Sequence, residues 1–418
     1  MPQRRQILYL VHRFPYPPNK GDRIRAFNLA KFLAREHDVS IATLADEPVD
    51  PAHFEALSKI CSRLEVRRVA GTTQRLRGIV SAGIGRSISE GMFASKALRR
   101  VVDRWCREIQ FDAVVLSASS IASYLNVEGV GNSQLVVDLV DVDSEKWREY
   151  AARSSFPSSW IYGLEADRLR RLELSLLERT DAVTLVSSAE ADLFRSICEH
   201  DQVAAPHTTK IHAIPNGVDL DYFAPQDAPM RQDCAFVGAM DYRPNIDAVV
   251  WFCQNIWPGV RSRIPESTFR IVGRNPATNV IDLAKLPGVE VIGSVPDVRP
   301  WVAKSRIVVA PLRIARGIQN KVLEAMAMGK AVVASPEALA GLDVTPDANV
   351  VVARDAKQWT EQLVRLLQDD DATRNFALAA RTFAEQHHDW PVTMEPLNRL
   401  LADREPRHAG NGVLEPIS

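Results

Sequence analysis

The chain of 418 residues carries 51 Lys and Arg against 52 Asp and Glu, a formal net charge of −1, with 46% hydrophobic and 25% charged residues. That balance removes any overall electrostatic case for nucleic-acid binding, and the composition is that of an ordinary globular protein. One hydrophobic core seldom serves more than roughly 250 to 300 residues, so two domains, or three, are expected.

In chain order, the apolar run ILYLV (7–11) is followed by Ile24, Phe27, Ala30 and Leu33 at helical spacing, then by VSIATL (39–44). This is the pattern of a β-α-β unit. The first run is too short for a signal-peptide core, and no stretch approaches the roughly 20 apolar residues of a membrane span. Further strands are predicted at AVVL (113–116), LVVDL (135–139) and AVTLV (182–186). Such unalternating runs suit strands buried on both faces of a parallel sheet.

A link rich in Pro, Asn and Gly occupies 206–225, and a second strand series follows at 234–238, 268–272, 289–292, 306–310, 331–334 and 349–352. Helical patterns separate most of these. The prediction is an α/β chain of two doubly wound Rossmann-like domains, 1–210 and 211–386, whose parallel sheets face a cleft. A helix at 387–403 closes the chain, with packing back on the first domain as one option, and 404–418 reads as a mobile tail.

Five cysteines (Cys61, Cys106, Cys198, Cys234, Cys253) form no Cys-x-x-Cys and are odd in number. Neither a disulfide framework nor a zinc site is expected, and a cytoplasmic setting is the simplest. Histidines form no zinc-ligand pattern; His12, just after the first strand, is the one singled out for contact with a ligand.

Ligands of open parallel sheets bind beyond the carboxyl ends of the strands, which directs attention to the loops there. In 311–324 a buried strand meets a helix through Arg313, Arg316 and Gly317. Helix-start amides, a glycine permitting close approach and arginines form an anion site that suits a diphosphate. Glu324 lies further along the helix, placed to accept hydrogen bonds from sugar or ribose hydroxyls; a salt bridge with Lys321 is the plain alternative. Asp138, Asp141 and Asp143 follow a first-domain strand. Asp141 is a candidate for acceptor positioning or proton acceptance, with a turn or capping role as the alternative for each. Two carboxylates alone are an incomplete oxygen shell, so no metal is expected.

The stretches LEAMAMGKAVVAS (323–335) and IPNGVDLDYFAP (214–225) resemble the retaining glycosyltransferases of family 4, which have the GT-B fold. The resemblance extends over nearly the whole chain, through YPPNKGDRIRAFNLAKFLAREHDVSIATL (16–44), with Gly21 at the phosphate-facing turn, and TDAVTLVSSAEADLF (180–194). DVDSEKWREY (141–150) with RGIQNKVLEAMA (316–327) resembles, more narrowly, sugar transferases associated with exopolysaccharide clusters of exosortase (PEP-CTERM) systems.

The resemblance implies a metal-independent transferase that needs no cofactor. It would take a nucleoside-diphosphate sugar as donor on the second domain and a glycan or lipid-linked acceptor on the first. It places Gly238, Gly273, Gly317, Ile318 and Glu324 at the donor. In the family two glutamates separated by seven residues hold the nucleotide sugar; the second matches Glu324, but the first falls on Arg316. The family's diphosphate-binding arginine and lysine fall on Ala239 and Pro244, which leaves Arg243 and Arg274 as replacement cations for the leaving group. These departures keep two other readings open: a nucleotide-sugar epimerase, and a catalytically silent scaffold of a polysaccharide assembly complex.

Residues 59–107 hold twelve basic residues against three acidic ones. Within 75–105, arginines interleave with Leu76, Ile79, Val80, Ile84, Ile88, Met92 and Phe93, while Gly78, Gly83 and Gly85 are expected to interrupt a long helix. Peripheral contact with an anionic membrane, at the inner face of the cell membrane, and a solvated helix face over a local core are both open.

Overall fold

The computed structural model describes residues 4–19, 21–69, 71–228, 233–315 and 317–402. Two compact units divide the chain, Met1–Ile214 with Met394–Ser418, and Pro215–Thr393. The tail expected at 404–418 and Arg316 lie outside the described residues.

The first unit is built on seven parallel strands, β1 (Gln6–Val11), β2 (Asp38–Ala45), β3 (Arg63–Arg68), β4 (Ala113–Ser117), β5 (Gln134–Val140), β6 (Ala182–Leu185) and β7 (Ile211–Ala213). Their order is β3-β2-β1-β4-β5-β6-β7. Central β1 is buried from Ile7 to Val11 because both of its faces are covered, and Ile7 pairs with Val39 on one side and Ala113 on the other. This is why its sequence is a continuous apolar run. The core runs through Leu8, Leu116, Val137, Val183 and Phe194. At its other end the described chain joins this unit: Gln134 Nε2 donates to the Leu400 carbonyl at 2.6 Å, and Arg5 donates to that of Leu401.

Two of these strands are not among those predicted from sequence. β3, RLEVRR, is an edge strand whose residues stay half-exposed or exposed, so it never needed an apolar run. β7 is three residues long and falls inside the stretch expected to be a link. Gly78 also behaves otherwise than expected: the helix Gly71–Gly83 continues through it. There the missing Cβ makes room for Ile88 and Met92 of the next helix, Ile88–Phe93.

The second unit has six parallel strands, β8 (Asp233–Val237), β9 (Thr268–Val272), β10 (Val289–Gly293), β11 (Ile307–Ala310), β12 (Ala331–Ala334) and β13 (Val351–Val352). Their order is β10-β9-β8-β11-β12-β13. Phe236, Phe252, Trp257, Phe269 and Trp359 fill its centre, with the Phe252 and Phe269 rings 4.5 Å apart. Among the described residues, no helix is long and apolar enough to cross a membrane.

Candidate active site

In the second unit three strand ends are tied together backbone to backbone. Gly238 N donates to Val272 O at 3.0 Å, Met240 N to Arg274 O at 2.8 Å, and Gly273 N to Gly293 O at 2.9 Å. A Cβ on Gly273 would lie 1.6 Å from the Gly238 carbonyl oxygen, so only glycine permits this contact. Asn275 Nδ2 donates to Asp241 at 3.0 Å, joining the same two loops again. Arg274 is thereby held beside the 238–245 loop. Arg243 opens the helix Arg243–Asn255 with an exposed side chain.

The neighbouring β11 leads through Gly317, at φ +59°, into the helix Asn320–Ala327. Ile318 is half-buried, and the backbone of 317–318 lies so close to Gly341 that a Cβ there would sit 2.6 Å from the Gly317 oxygen. Asn216, from the 214–225 motif, donates to Asn320 Oδ1 at 3.1 Å. That motif therefore braces the start of this helix.

Lys321 and Glu324 stand three residues apart on it, a spacing that places side chains on one face. Lys321 Nζ donates to Asn245 Oδ1 at 2.5 Å and hangs 4.7 Å from the centre of the Phe236 ring. Asn245 in turn donates to the Ala239 carbonyl at 2.9 Å. A Cβ on Gly238 would stand 2.7 Å from Asn245 Nδ2 and 3.3 Å from Lys321 Nζ, so the glycine opens this corner to the lysine. Among the described residues no hydrogen bond or ion pair reaches the Glu324 carboxylate. Burial pushes Glu324 up to about 7, against the pull of Lys321, and draws Lys321 down to about 7, against the pull of Glu324.

Gly238, Arg243, Gly273, Arg274, Gly317, Ile318 and Glu324 thus belong to one unit, at or just beyond the carboxyl ends of β8, β9 and β11. Two findings modify the reading from sequence. Arg313 is committed elsewhere, in a two-pronged pair with Asp247 at 3.0 and 2.5 Å. Lys321, expected from sequence only as a partner for Glu324, is the cation that meets the Gly238 loop; its spacing from Glu324 was the available signal.

In the first unit, Gly21 is the first residue of the helix Gly21–Glu36, exposed and with open space where a Cβ would lie. His12 sits between the Ser117 carbonyl, 3.3 Å from Nδ1, and Asp22, 3.7 Å from Nε2. Burial would raise Asp22, but the bond and charge of His12 and the charge of Arg13 hold it well below the usual carboxylate range.

The loop after β5 is strained and clamped. Ala118 and Val140, at the ends of adjacent β4 and β5, have φ of +89° and +70°, a region that side chains, β-branched ones above all, rarely adopt. Glu190 accepts from Val142 N at 2.8 Å, and Glu173 accepts from Ser144 N at 3.1 Å and Ser144 Oγ at 2.5 Å. These carboxylates fix Asp141 and Asp143 beyond the sheet. Burial raises the Asp143 carboxyl, with the charge of Asp141 adding to the rise and those of Lys146 and His12 opposing it. Backbone strain persists only where its surroundings over-determine it, and it gathers at functional sites. Asp138 stands apart from this loop. Fully buried, it takes both prongs of Arg25 at 2.7 Å and the Thr184 hydroxyl at 2.8 Å.

No curated protein matches the chain. Residues 231–369 match the family described as glycosyl transferases group 1. Among solved structures, the chain resembles Anabaena Alr3699/HepE in complex with UDP and glucose (14% identity, 96% of this chain and 100% of that one, TM-score 0.67). It also resembles sucrose-phosphate synthase from Thermosynechococcus elongatus (16%, 95% and 98%, 0.67) and S. aureus TarM (11%, 96% and 99%, 0.68). The two doubly wound units and the domain matched at residues 231–369 together make this chain a GT-B glycosyltransferase.

Proposed function

We propose that the chain moves a sugar from a nucleoside-diphosphate sugar to a hydroxyl of a glycan or lipid-linked acceptor, with retention and without a metal or cofactor. The observation that carries this reading is the half-buried Glu324 carboxylate, without a hydrogen-bond or ion-pair partner among the described residues and one helical step from Lys321 at the Gly238 loop. A carboxylate raised by burial and given no protein donor gains most from the hydroxyls of a ribose or hexose. Lys321, Arg243 and Arg274 supply positive charge where a diphosphate leaves, and the amides at Gly317 and Ile318 add the helix start. Complexes of HepE with UDP-glucose and of TarM with UDP support a uridine nucleotide as the first donor class to try.

In the first unit the strained 140–144 loop presents Asp141 for the acceptor, with His12 near it. On this reading the acceptor hydroxyl attacks from the face that the diphosphate leaves, and a phosphate oxygen takes its proton. The likeness of 141–150 and 316–327 to transferases of exosortase-associated clusters supports a place in exopolysaccharide assembly.

The test is release of nucleoside diphosphate from a panel of UDP- and GDP-sugars in EDTA, with the anomeric configuration of the product read by NMR. Release that persists in EDTA and an α-product from an α-donor are expected. Conversion of the donor to its epimer without release would make the chain an epimerase, and binding without turnover a scaffold.

A further inference from the structure

The helix Gly71–Gly83 is built inside out. Its buried positions are Gln74, Gly78 and Ser81, while Leu76, Ile79 and Val80, with Ile84 just beyond its end, are 62%, 68%, 58% and 68% exposed. At the helical period these two sets lie on opposite faces. The stripe is held firmly. A Cβ on Gly91 would lie 2.3 Å from Ser81 Cβ, so the helix Ile88–Phe93 packs directly against this one. Glu165 accepts from Ser87 Oγ, Ile88 N and Ser89 N at 2.7 to 2.9 Å, and Arg168 donates to the Ala82 carbonyl at 2.9 Å. An exposed apolar face on a braced helix has a partner to meet.

The charges around it indicate what that partner is. Of the twelve basic residues of 59–107, five are held in ion pairs and, among the described residues, seven are not, Arg68 and Arg100 included. Lys59, Arg63, Arg67, Arg104 and Arg107 form ion pairs with Glu55, Glu65, Glu108 and Asp103. Among the described residues no ion pair reaches Arg75, Arg77, Arg86, Lys96 or Arg99, the group beside the stripe; Arg77 and Arg99 are oriented only by backbone carbonyls. A groove of about 510 Å³ joins stripe and charges, lined by Leu76, Val80 and Ile84 together with Arg86, Lys96 and Arg99.

We infer that this face docks on an anionic lipid bilayer, with Leu76, Ile79, Val80 and Ile84 entering the acyl boundary and the unpaired cations meeting lipid phosphates. An apolar stripe bordered by cations complements an anionic leaflet on both counts, whereas a second copy of the chain would bring the same positive charge against itself. The inference deepens the proposed use of a lipid-linked acceptor and rests on that reading only for the acceptor's identity.

Flotation of the full chain with vesicles of phosphatidylcholine alone, and of phosphatidylcholine with phosphatidylglycerol, tests it. The wild type is expected to float with the anionic vesicles and to stay behind with the neutral ones, less so as salt rises. Combined Leu76→Ser, Ile79→Ser, Val80→Ser and Ile84→Ser, or combined Arg75→Glu, Arg86→Glu and Lys96→Glu, lowers the bound fraction by about tenfold or more. Lys59→Glu with Arg107→Glu leaves it nearly unchanged. Absence from both lipid fractions, or equal flotation with both, overturns the inference. So does a concentration-dependent dimer in sedimentation that the serine variant abolishes, since the stripe then belongs to a second copy. Nucleotide-sugar binding, read in parallel on the same variants, is expected to be unchanged; its absence in the wild type would sink the transferase reading without touching the membrane result.

Discussion

Lys321 Nζ rests 2.5 Å from Asn245 Oδ1 and 4.7 Å from the Phe236 ring centre, beside a glycine that leaves it room. Three elements of the second unit converge there: the end of β8, the start of the helix Arg243–Asn255 and the first turn of the helix Asn320–Ala327. A half-buried ammonium with one neutral side-chain partner is stabilised by an incoming anion. Lys321→Ala is therefore expected to weaken nucleoside-diphosphate binding about tenfold, ~1.4 kcal/mol. Lys321→Arg should restore only part of it, because a guanidinium does not fit a corner made for an ammonium. Calorimetric titration with UDP and GDP checks both; wild-type affinity in the alanine variant would remove Lys321 from the site.

The arginines separate by what already holds them. Arg243 and Arg274 lie on the two loops tied at Gly238 and Gly273, whereas Arg313 is neutralised by Asp247. Arg243→Ala and Arg274→Ala should each lower turnover at least ~10-fold if they stabilise the departing diphosphate. Arg313→Ala should change it by less than about twofold, as exposed pairs contribute little. Steady-state kinetics on the three variants decides, and wild-type rates for the first two would leave leaving-group charge to other groups.

How much of this was readable in the sequence depends on burial. Both central sheets were legible because strands such as ILYLV and AVVA are covered on both faces and had to be apolar. β3 was not, since an edge strand with exposed arginines carries no such mark, nor was β7, which is too short to show a pattern. The 238, 273 and 311–324 loops were legible as strand-to-helix turns with glycines. Which cation meets which loop was not: Arg313 and Lys321 are distinguished only by where Asp247 and Asn245 come to lie, and that is a matter of tertiary packing.

The buried pair Arg25 and Asp138 should behave as a structural staple of the first unit. Arg25 also donates to the Ile214 carbonyl at 2.8 Å, where that unit ends. Asp138→Ala leaves a buried guanidinium without its carboxylate and is expected to cost ~3–5 kcal/mol. Urea denaturation followed by far-UV circular dichroism should show an earlier first-unit transition; an unchanged profile would contradict the burial of this pair.

Glu173 makes stability depend on pH. Burial pushes its carboxyl up to about 8, while the bonds from Ser144 pull it down. Between its ordinary range near 4.5 and about 8 the folded chain holds a proton that the unfolded chain has lost, so this group's contribution to stability falls as pH rises through that window. Glu173→Gln removes the titration. Its melting temperature should gain on that of the wild type steadily from pH 5 to pH 8, by about a few degrees in total. A constant difference over that range would show that Glu173 is already ionised at pH 5.

The most direct measurement is calorimetric titration of the wild type and Glu324→Ala with UDP- and GDP-sugars. Selective binding of one donor class by the wild type, lost by about tenfold or more in the variant, is the predicted result. Nucleotide-sugar binding that is equal in the two proteins, or absent from the folded wild type, would contradict it.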